Sequence, residues 1–485
     1  MGFEGQCSEN KQIHWKSWYQ RFRLGENFTV LQMFEEFFDV SFWETITTET
    51  NRYAQQVNDG KSSKKKKIDE KWVPVTVDEM KTYMALSIIM SQVKKQRVSM
   101  NWSTRSIIHT PIFARTMPYR RFWLITQFLH FSNNATLDKS HKMSKVREAV
   151  NFFNNKFDQM YTPEGDVSID KSLMKFKGRL SNVVFSPQKR ARYGIKYYKL
   201  CESNSGYCCG FKIYTGDDTS ESNSDLGISG SIVQHLSSEI LNKGYTLFID
   251  NWSNRKNMPK DLPKLKLKKG ESAARSSHGI LAMKWVDRKD VYMLSTKHAN
   301  VEMCDTGKTK IRKGGKCEVR NTFKPKCVIE YNRGMGGVDR QDQRLACFPV
   351  MRKFLKGYRK IFFYMVDMAI FNSFTFFCKV NSTKMQYVSY RLDVAEQLLT
   401  SVALPDYNTR GRPAQSDTPL RLQSKYWAHF PQHIPPTKKK QHPTRVCKVC
   451  FAHKKRSETT WECKKCLVAL HVPDCFEAYH TLKNY

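Results

Sequence analysis

A multidomain chain, helical at its start, α/β in its middle and closed by a small cysteine- and histidine-rich module, is what the 485 residues predict. Three observations carry that reading. Up to about residue 135 apolar positions recur at helical spacing; from about 165 short apolar runs alternate with turn residues; from Cys447 onward Cys-x-x-Cys pairs crowd the tail. The length is too great for one ordinary core. Lys plus Arg number 81 against 45 Asp plus Glu, a net charge of +36 spread along the chain, so a polyanionic partner is expected. Nucleic acid is favoured over a membrane surface, because no uninterrupted apolar run suffices to span a bilayer and no N-terminal signal pattern is present. The 14 cysteines, several paired beside histidine, point to thiolates on metal in a reducing compartment, the cytosol or the nucleus. The runs Lys64 to Lys67 and Lys438 to Lys440 are candidate nuclear-import signals.

In the helical part, "FTVLQMFEEFFDVSFWETITTETNRYAQQ" and "TVDEMKTYMALSIIMSQV" supply apolar stripes, the second opened by a Thr76 cap with acids in its first turns. Its aromatic residues, among them Phe34, Phe37, Phe38, Phe42, Trp43, Phe122, Trp123 and Phe128, are expected in the core. The α/β part begins with "DVSIDKSLMKF", "YGIKYYKLCE" and "YCCGFKIYTG" as strands, continues with "LGISGSIVQHLSSEILNK" as a helix, and reaches "GYTLFID" as a fourth strand. That order is the order of a ribonuclease H-like fold, in which the first and fourth strands are neighbours. Asp170 on the first and Asp250 at the end of the fourth are then expected to meet. A third carboxylate should come from a late helix, and "YNRGMGGVDRQDQRL" offers Asp339. The following "RKIFFYMVDMAIFNSFTFF" is broken by Arg359, Lys360 and Asp367 and reads as a buried core helix, not a membrane span. Between the second and third acids, "GILAMKWVDRKDVYMLSTKHA" alternates like a hairpin of an inserted domain, and residues 405–445 read as a basic linker.

Breaking and rejoining a phosphodiester needs an activated oxygen nucleophile, a stabilised leaving oxygen and neutralised charge on phosphorus, which two Mg²⁺ or Mn²⁺ ions supply from carboxylate ligands. Asp170, Asp250 and Asp339 fit as those ligands, with Asp342 in support one turn on. In the tail, Cys447-x-x-Cys450, Cys463-x-x-Cys466, His471, Cys475 and His480 have structural zinc spacing in a segment too short for much core, so about two Zn²⁺ in interleaved sites are expected, with His453 the candidate for the last ligand.

Over nearly its whole length the chain resembles the piggyBac-type transposases, with "TETNRYAQQ", "RFWLITQFLHFSNN", "SIDKSLMKFKGR", "RYGIKYYKLCES", "FIDNW", "KPKCVIEYNRGMGGVDRQDQ" and "CKVCFAHKKRSETTWECKKC" in family order. The resemblance implies catalytic acids at Asp170, Asp250 and Asp339, an assisting acid at Asp342, and metal-dependent cut-and-paste transposition of double-stranded DNA at terminal repeats with TTAA targets. It implies a homodimer acting in the nucleus, with no membrane and no small-molecule substrate. The expected layout is an N-terminal tail at 1–14, a helical dimerisation or DNA-binding domain at 15–135, a ribonuclease H-like catalytic domain at 136–259 and 329–404 interrupted by an insertion domain at 260–328, a basic linker at 405–445 and a cysteine-rich zinc module at 446–485.

One stretch departs from the pattern. After Asp250-Asn251-Trp252-Ser253 the chain runs into "NRKNMPKDLPKLKLKKGE", where Pro259, Pro263 and the lack of an apolar stripe forbid the expected helix and fifth strand. Relatives carry about twenty more residues there, a typical helix-and-strand length. Asp250 is therefore expected to sit displaced beside an exposed strand edge, with Asp170 and Asp339 still close, and catalysis reduced or absent. A gene model that skipped a short coding segment would leave the same junction. The alternative function is a domesticated, catalytically inactive DNA-binding or chromatin-interaction protein.

Overall fold

The computed structural model describes residues 27–59, 72–138, 140, 142–178, 180–187, 192–216, 227–250, 258–310, 320–350, 356–405, 407, 429–437, 440–482 and 484–485. Two compact units divide the chain, Met1–Pro405 and Asp406–Tyr485. The lysine run at 64–67, Lys438 and Lys439, and the junction at 251–257 lie outside the described residues.

The first unit opens with α1 (Val30–Phe37), whose cap Thr29 and Gln32 exchange side-chain and backbone hydrogen bonds. Asp39 then starts α2 (Val40–Asp59) by accepting from the Phe42 N–H at 2.9 Å and the Ser41 hydroxyl at 2.7 Å. Thr76 caps α3 (Val77–Gln92) as expected, accepting from the Glu79 N–H at 3.2 Å, with Asp78 and Glu79 in the first turn. Next come α4 (Pro111–Thr116), α5 (Tyr119–Phe128) and α6 (Arg147–Met160). The expected core aromatics are buried except Trp123, which is 49% exposed. On α5 the inward residues are Phe122, Ile125, Thr126 and Phe128, and the 100° step from Phe122 turns Trp123 away from them.

A five-stranded sheet follows: β1 (Asp166–Lys175), β2 (Val183–Phe185), β3 (Tyr193–Glu202), β4 (Cys208–Ile213), the helix α7 (Gly227–Ser237), then β5 (Thr246–Ile249). Its long strands lie in the order β4, β3, β1, β5, antiparallel except for the parallel pair β1 and β5. The three-residue β2, which the sequence did not suggest, shares the outer edge of β3. Among the described residues no strand lies beyond β5.

The insertion is a three-stranded antiparallel meander, β6 (Ser272–Ser277), β7 (Ile280–Val286) and β8 (Asp290–Ser295), followed by the antiparallel pair β9 (Met303–Lys310) and β10 (Arg320–Pro325). The hairpin expected there is β7 with β8. Among the described residues, four helices complete the unit: α8 (Lys326–Gly334), α9 (Gly337–Cys347), α10 (Gly357–Val380) and α11 (Tyr387–Thr400). By length and composition α10 would cross a membrane, yet 83% of its most apolar window is buried inside the fold, so it is the core helix of this unit. It packs against α1, α6, α9 and α11, and α11 in turn covers α3. Phe362 of α10 stacks on Phe131 at 3.9 Å and on Phe42 at 6.2 Å. The helical stretch expected to be a domain of its own at 15–135 thus shares one core with the last helices of the unit.

In the second unit β11 (Pro431–His433) pairs with β14 (Trp461–Cys463), β12 (Arg445–Val446) pairs with β13 (Glu458–Thr459), and α12 (Lys448–Ala452) and α13 (Asp474–Thr481) complete the module. The linker expected to run to 445 therefore gives way earlier, because Pro431 to His433 are already a strand of the module.

Candidate active site and candidate metal centres

The parallel register between β1 and β5 sets Asp166 against Thr246 and Ile169 against Ile249, so Asp170 and Asp250 follow side by side at the ends of the ladder. Both are half-buried. The strand that leads to Asp250 is formed and paired with β1 as far as Ile249. It is held from the sheet side by β1 and from above by α8, where Phe248 meets Tyr331 with ring centroids 6.5 Å apart. Gly334 makes that approach possible: a Cβ there would stand 2.2 Å from the Phe248 ring. Burial, then the negative charges of Asp250 and Asp170, push the Tyr331 phenol up to about 12. Both carboxylates are thus within electrostatic reach of one phenol.

Asp339 lies in the first turn of α9, exposed. The seat of α9 depends on Gly337, where a Cβ would come 2.6 Å from the Glu202 carbonyl oxygen and 2.8 Å from Ser168 Oγ. Further along, Asp342 is ion-paired to Lys199 at 2.9 Å and accepts from Ser172 Oγ at 2.7 Å and the Tyr364 hydroxyl at 3.3 Å. All three contacts converge on Oδ1. Lys199 also donates to Gln341 Oε1 at 2.8 Å and to Tyr364 at 2.9 Å. Burial opposes the Lys199 charge, but the Asp342 carboxylate and the Tyr364 oxygen outweigh it and hold the ammonium above its usual range. The supporting acid of the sequence reading is thus already engaged by a buried cation. Among the described residues only the Cys/His groups of the second unit gather three or more ligand atoms within 4.8 Å of one another; Asp170, Asp250 and Asp339 are not drawn that close.

The second unit forms two such groups, Cys447, Cys450, His471 and Cys475 in one and His429, Cys463, Cys466 and His480 in the other. They alternate along the chain, as a cross-brace does. In the first, Cys450 Sγ stands 3.5 Å from His471 Nδ1 and 3.8 Å from Cys475 Sγ. Burial raises the Cys447 thiol, but the N–H groups of Cys450, His471 and Val449 more than offset it and bring it down to about 7, while burial and the neighbouring thiols push Cys475 up to about 12. In the second, His429 Nδ1 stands 3.3 Å from both Cys463 and Cys466. His453 belongs to neither group: it is exposed at the C-terminal cap of α12. The eighth position is His429, which "WAHFPQHIPP" places 18 residues before Cys447, far outside any Cys-x-x-Cys spacing. Sequence reading also passed over Lys199, whose signal was a lysine inside the buried strand "YGIKYYKLCE", and Tyr331, whose signal was its place one turn before the glycines ahead of Asp339.

A family model described as Transposase IS4 matches residues 29–254 and 252–374, in two pieces that meet just after Asp250, and the C-terminal module lies beyond it. Human PiggyBac transposable element-derived protein 3 is 25% identical over 438 residues, covering 84% of this chain and 70% of that protein. Human PiggyBac transposable element-derived protein 2 is 26% identical over 373 residues, covering 70% of this chain and 60% of that protein. Among solved structures, the piggyBac transposase synaptic complex with hairpin DNA, determined by cryo-EM, aligns with a TM-score of 0.64 at 18% identity over 93% of this chain and 98% of that one. Sequence matches and shared fold agree, and the chain belongs to the piggyBac-type transposase family.

Proposed function

We propose that the chain binds double-stranded DNA and carries, at Asp170, Asp250 and Asp339, the divalent-metal site of a DNA-cleaving and DNA-joining transposase built on a ribonuclease H-like frame. The parallel pairing of β1 and β5, which sets Asp170 beside Asp250, carries this reading. The strand order third, second, first, fourth, counted over the long strands, supports the frame. The donor chemistry fits a hard cation: carboxylate oxygens at two adjacent strand ends. Bound there, Mg²⁺ or Mn²⁺ would supply charge neutralisation at phosphorus and an activated oxygen. The chain's own part is to hold Asp170 and Asp250 in register and present Asp339 from the first turn of α9, while exposed Arg340, next to Asp339 in that turn, offers a cation to the DNA backbone. In the second unit, two sets of four thiolate and imidazole ligands would hold Zn²⁺, about two ions, as structural metal. Cut-and-paste transposition at terminal repeats with TTAA targets, action as a homodimer, and nuclear location complete the reading and rest on the family.

Cleavage is reduced or absent in this reading. The family match breaks at 252–254, where the expected helix and strand are missing from the sequence, and β5 has no outer neighbour among the described residues. The same observations favour the second reading, a domesticated DNA-binding protein without catalysis. Incubating supercoiled plasmid with the full chain and Mn²⁺ separates them. Slow nicking abolished by Asp250→Asn supports a weakened enzyme; tight DNA binding with no Asp250-dependent nicking supports the domesticated protein; neither binding nor nicking rejects both.

A further inference from the structure

We propose that Lys199 is a positioning residue of the carboxylate site, setting the rotation and depth of α9 so that Asp339 faces Asp170; this rests on the metal-site reading above. Lys199 sits on β3 directly across from Asp170 in the antiparallel register, so both side chains leave the sheet on one face. Its side chain is fully buried, a placement unfavourable for an ammonium unless every donor is used. Here the donors reach Asp342, Gln341 and Tyr364, two residues of α9 and one of α10.

The consequence is geometric. On β1, Ser168, Asp170 and Ser172 share a face. Gly337 of α9 is packed onto Ser168, and Asp342 of α9 is bonded to Ser172 and Lys199. The helix is therefore pinned at two points along the strand, and each pinned span contains one acid, Asp170 on the strand and Asp339 on the helix. Asp339 and Asp342 are three residues apart and lie on neighbouring flanks of the helix. Holding Asp342 by one oxygen fixes the rotation that aims Asp339. The fully buried Lys199 does not touch DNA or a reacting atom; it acts through the helix it holds.

A rival reading of the same contacts makes Asp342 a fourth metal ligand and Lys199 its competitor, and the two predict opposite signs. Mn²⁺ binding to the zinc-loaded full chain is read from the loss of free Mn²⁺ signal in electron paramagnetic resonance, with Asp170→Asn defining the carboxylate site and thermal unfolding checking the fold. Lys199→Met is expected to weaken that site about tenfold, the size of a supporting residue's effect on metal affinity, because α9 then presents Asp339 less firmly, and Tyr364→Phe to weaken it less. Stronger Mn²⁺ binding in Lys199→Met would show competition and overturn the proposal. Unchanged binding, with Asp170→Asn still abolishing it, would reduce Lys199 to a structural group and overturn it too. Should Lys199→Met fail to fold, Tyr364→Phe decides: weaker binding supports the clamp and unchanged binding rejects it. A wild-type chain with no Asp170-dependent Mn²⁺ site would remove the metal reading itself, and the clamp with it.

Discussion

His130 shows how far a single buried side chain can tie this fold to pH. It is stacked on Tyr53 at 4.3 Å and bonded to Asn134 at 3.0 Å, with Lys145, Arg359 and Lys356 nearby. Burial, aided by those cations and opposed by Asn134, lowers its pKa to about 4. The unfolded chain binds that proton near pH 6.5 and the folded chain near 4, so stability is complete above the upper value and falls as pH drops through the window. The difference amounts to about 3 kcal/mol. Urea midpoints of the wild-type chain should fall between pH 7 and pH 4.5 more steeply than those of His130→Phe; equal slopes would contradict the assignment. For the tail, His429→Ala is expected to lower bound zinc from about two ions to about one per chain while His453→Ala leaves it unchanged, as counted by elemental analysis of purified protein. The two Cys-x-x-Cys pairs were legible because their spacing is local. His429 was not, since it reaches its partners through a strand pairing 30 residues away, between Gln432 and Glu462.

At the scale of elements, the acids are placed by close approach of helices to a sheet, and glycine sets the distance. Ala at Gly337 would push against the Glu202 backbone carbonyl and the Ser168 hydroxyl, and is expected to cost about 1–3 kcal/mol. A guanidinium melt of Gly337→Ala against Gln343→Ala, on the exposed face of α9, measures it; equal midpoints would mean that α9 is not seated as described. The long strands were readable from alternation, and Thr76 announced its helix by capping chemistry. Three residues of β2 carry too little pattern to be seen, and Trp123 was misplaced because aromatic character says nothing of rotation about a helix axis. Beyond β5 the sequence shows what is missing, but not that α8, from later in the chain, covers that strand with Tyr331 against Phe248.

For the whole molecule, charge and topology point to one partner. With a net charge of +36, duplex affinity should fall by orders of magnitude between low and physiological salt as counterions are released, and a flat titration would exclude a phosphate-dominated interface. If the break after Trp252 limits catalysis, inserting the helix and strand of a relative there should restore metal-dependent cleavage without changing DNA affinity; unchanged cleavage would place the defect elsewhere. The claim on which the rest stands is that Asp170, Asp250 and Asp339 hold one metal site, and iron-mediated cleavage of the polypeptide tests it without requiring catalysis. Fe²⁺ with ascorbate and peroxide cuts backbone beside the ion it replaces. Fragments ending near residues 170, 250 and 339, suppressed by excess Mg²⁺ and lost in Asp170→Asn, are the expected result. Cuts confined to the C-terminal module, or cuts near those acids that Mg²⁺ does not suppress, would contradict it.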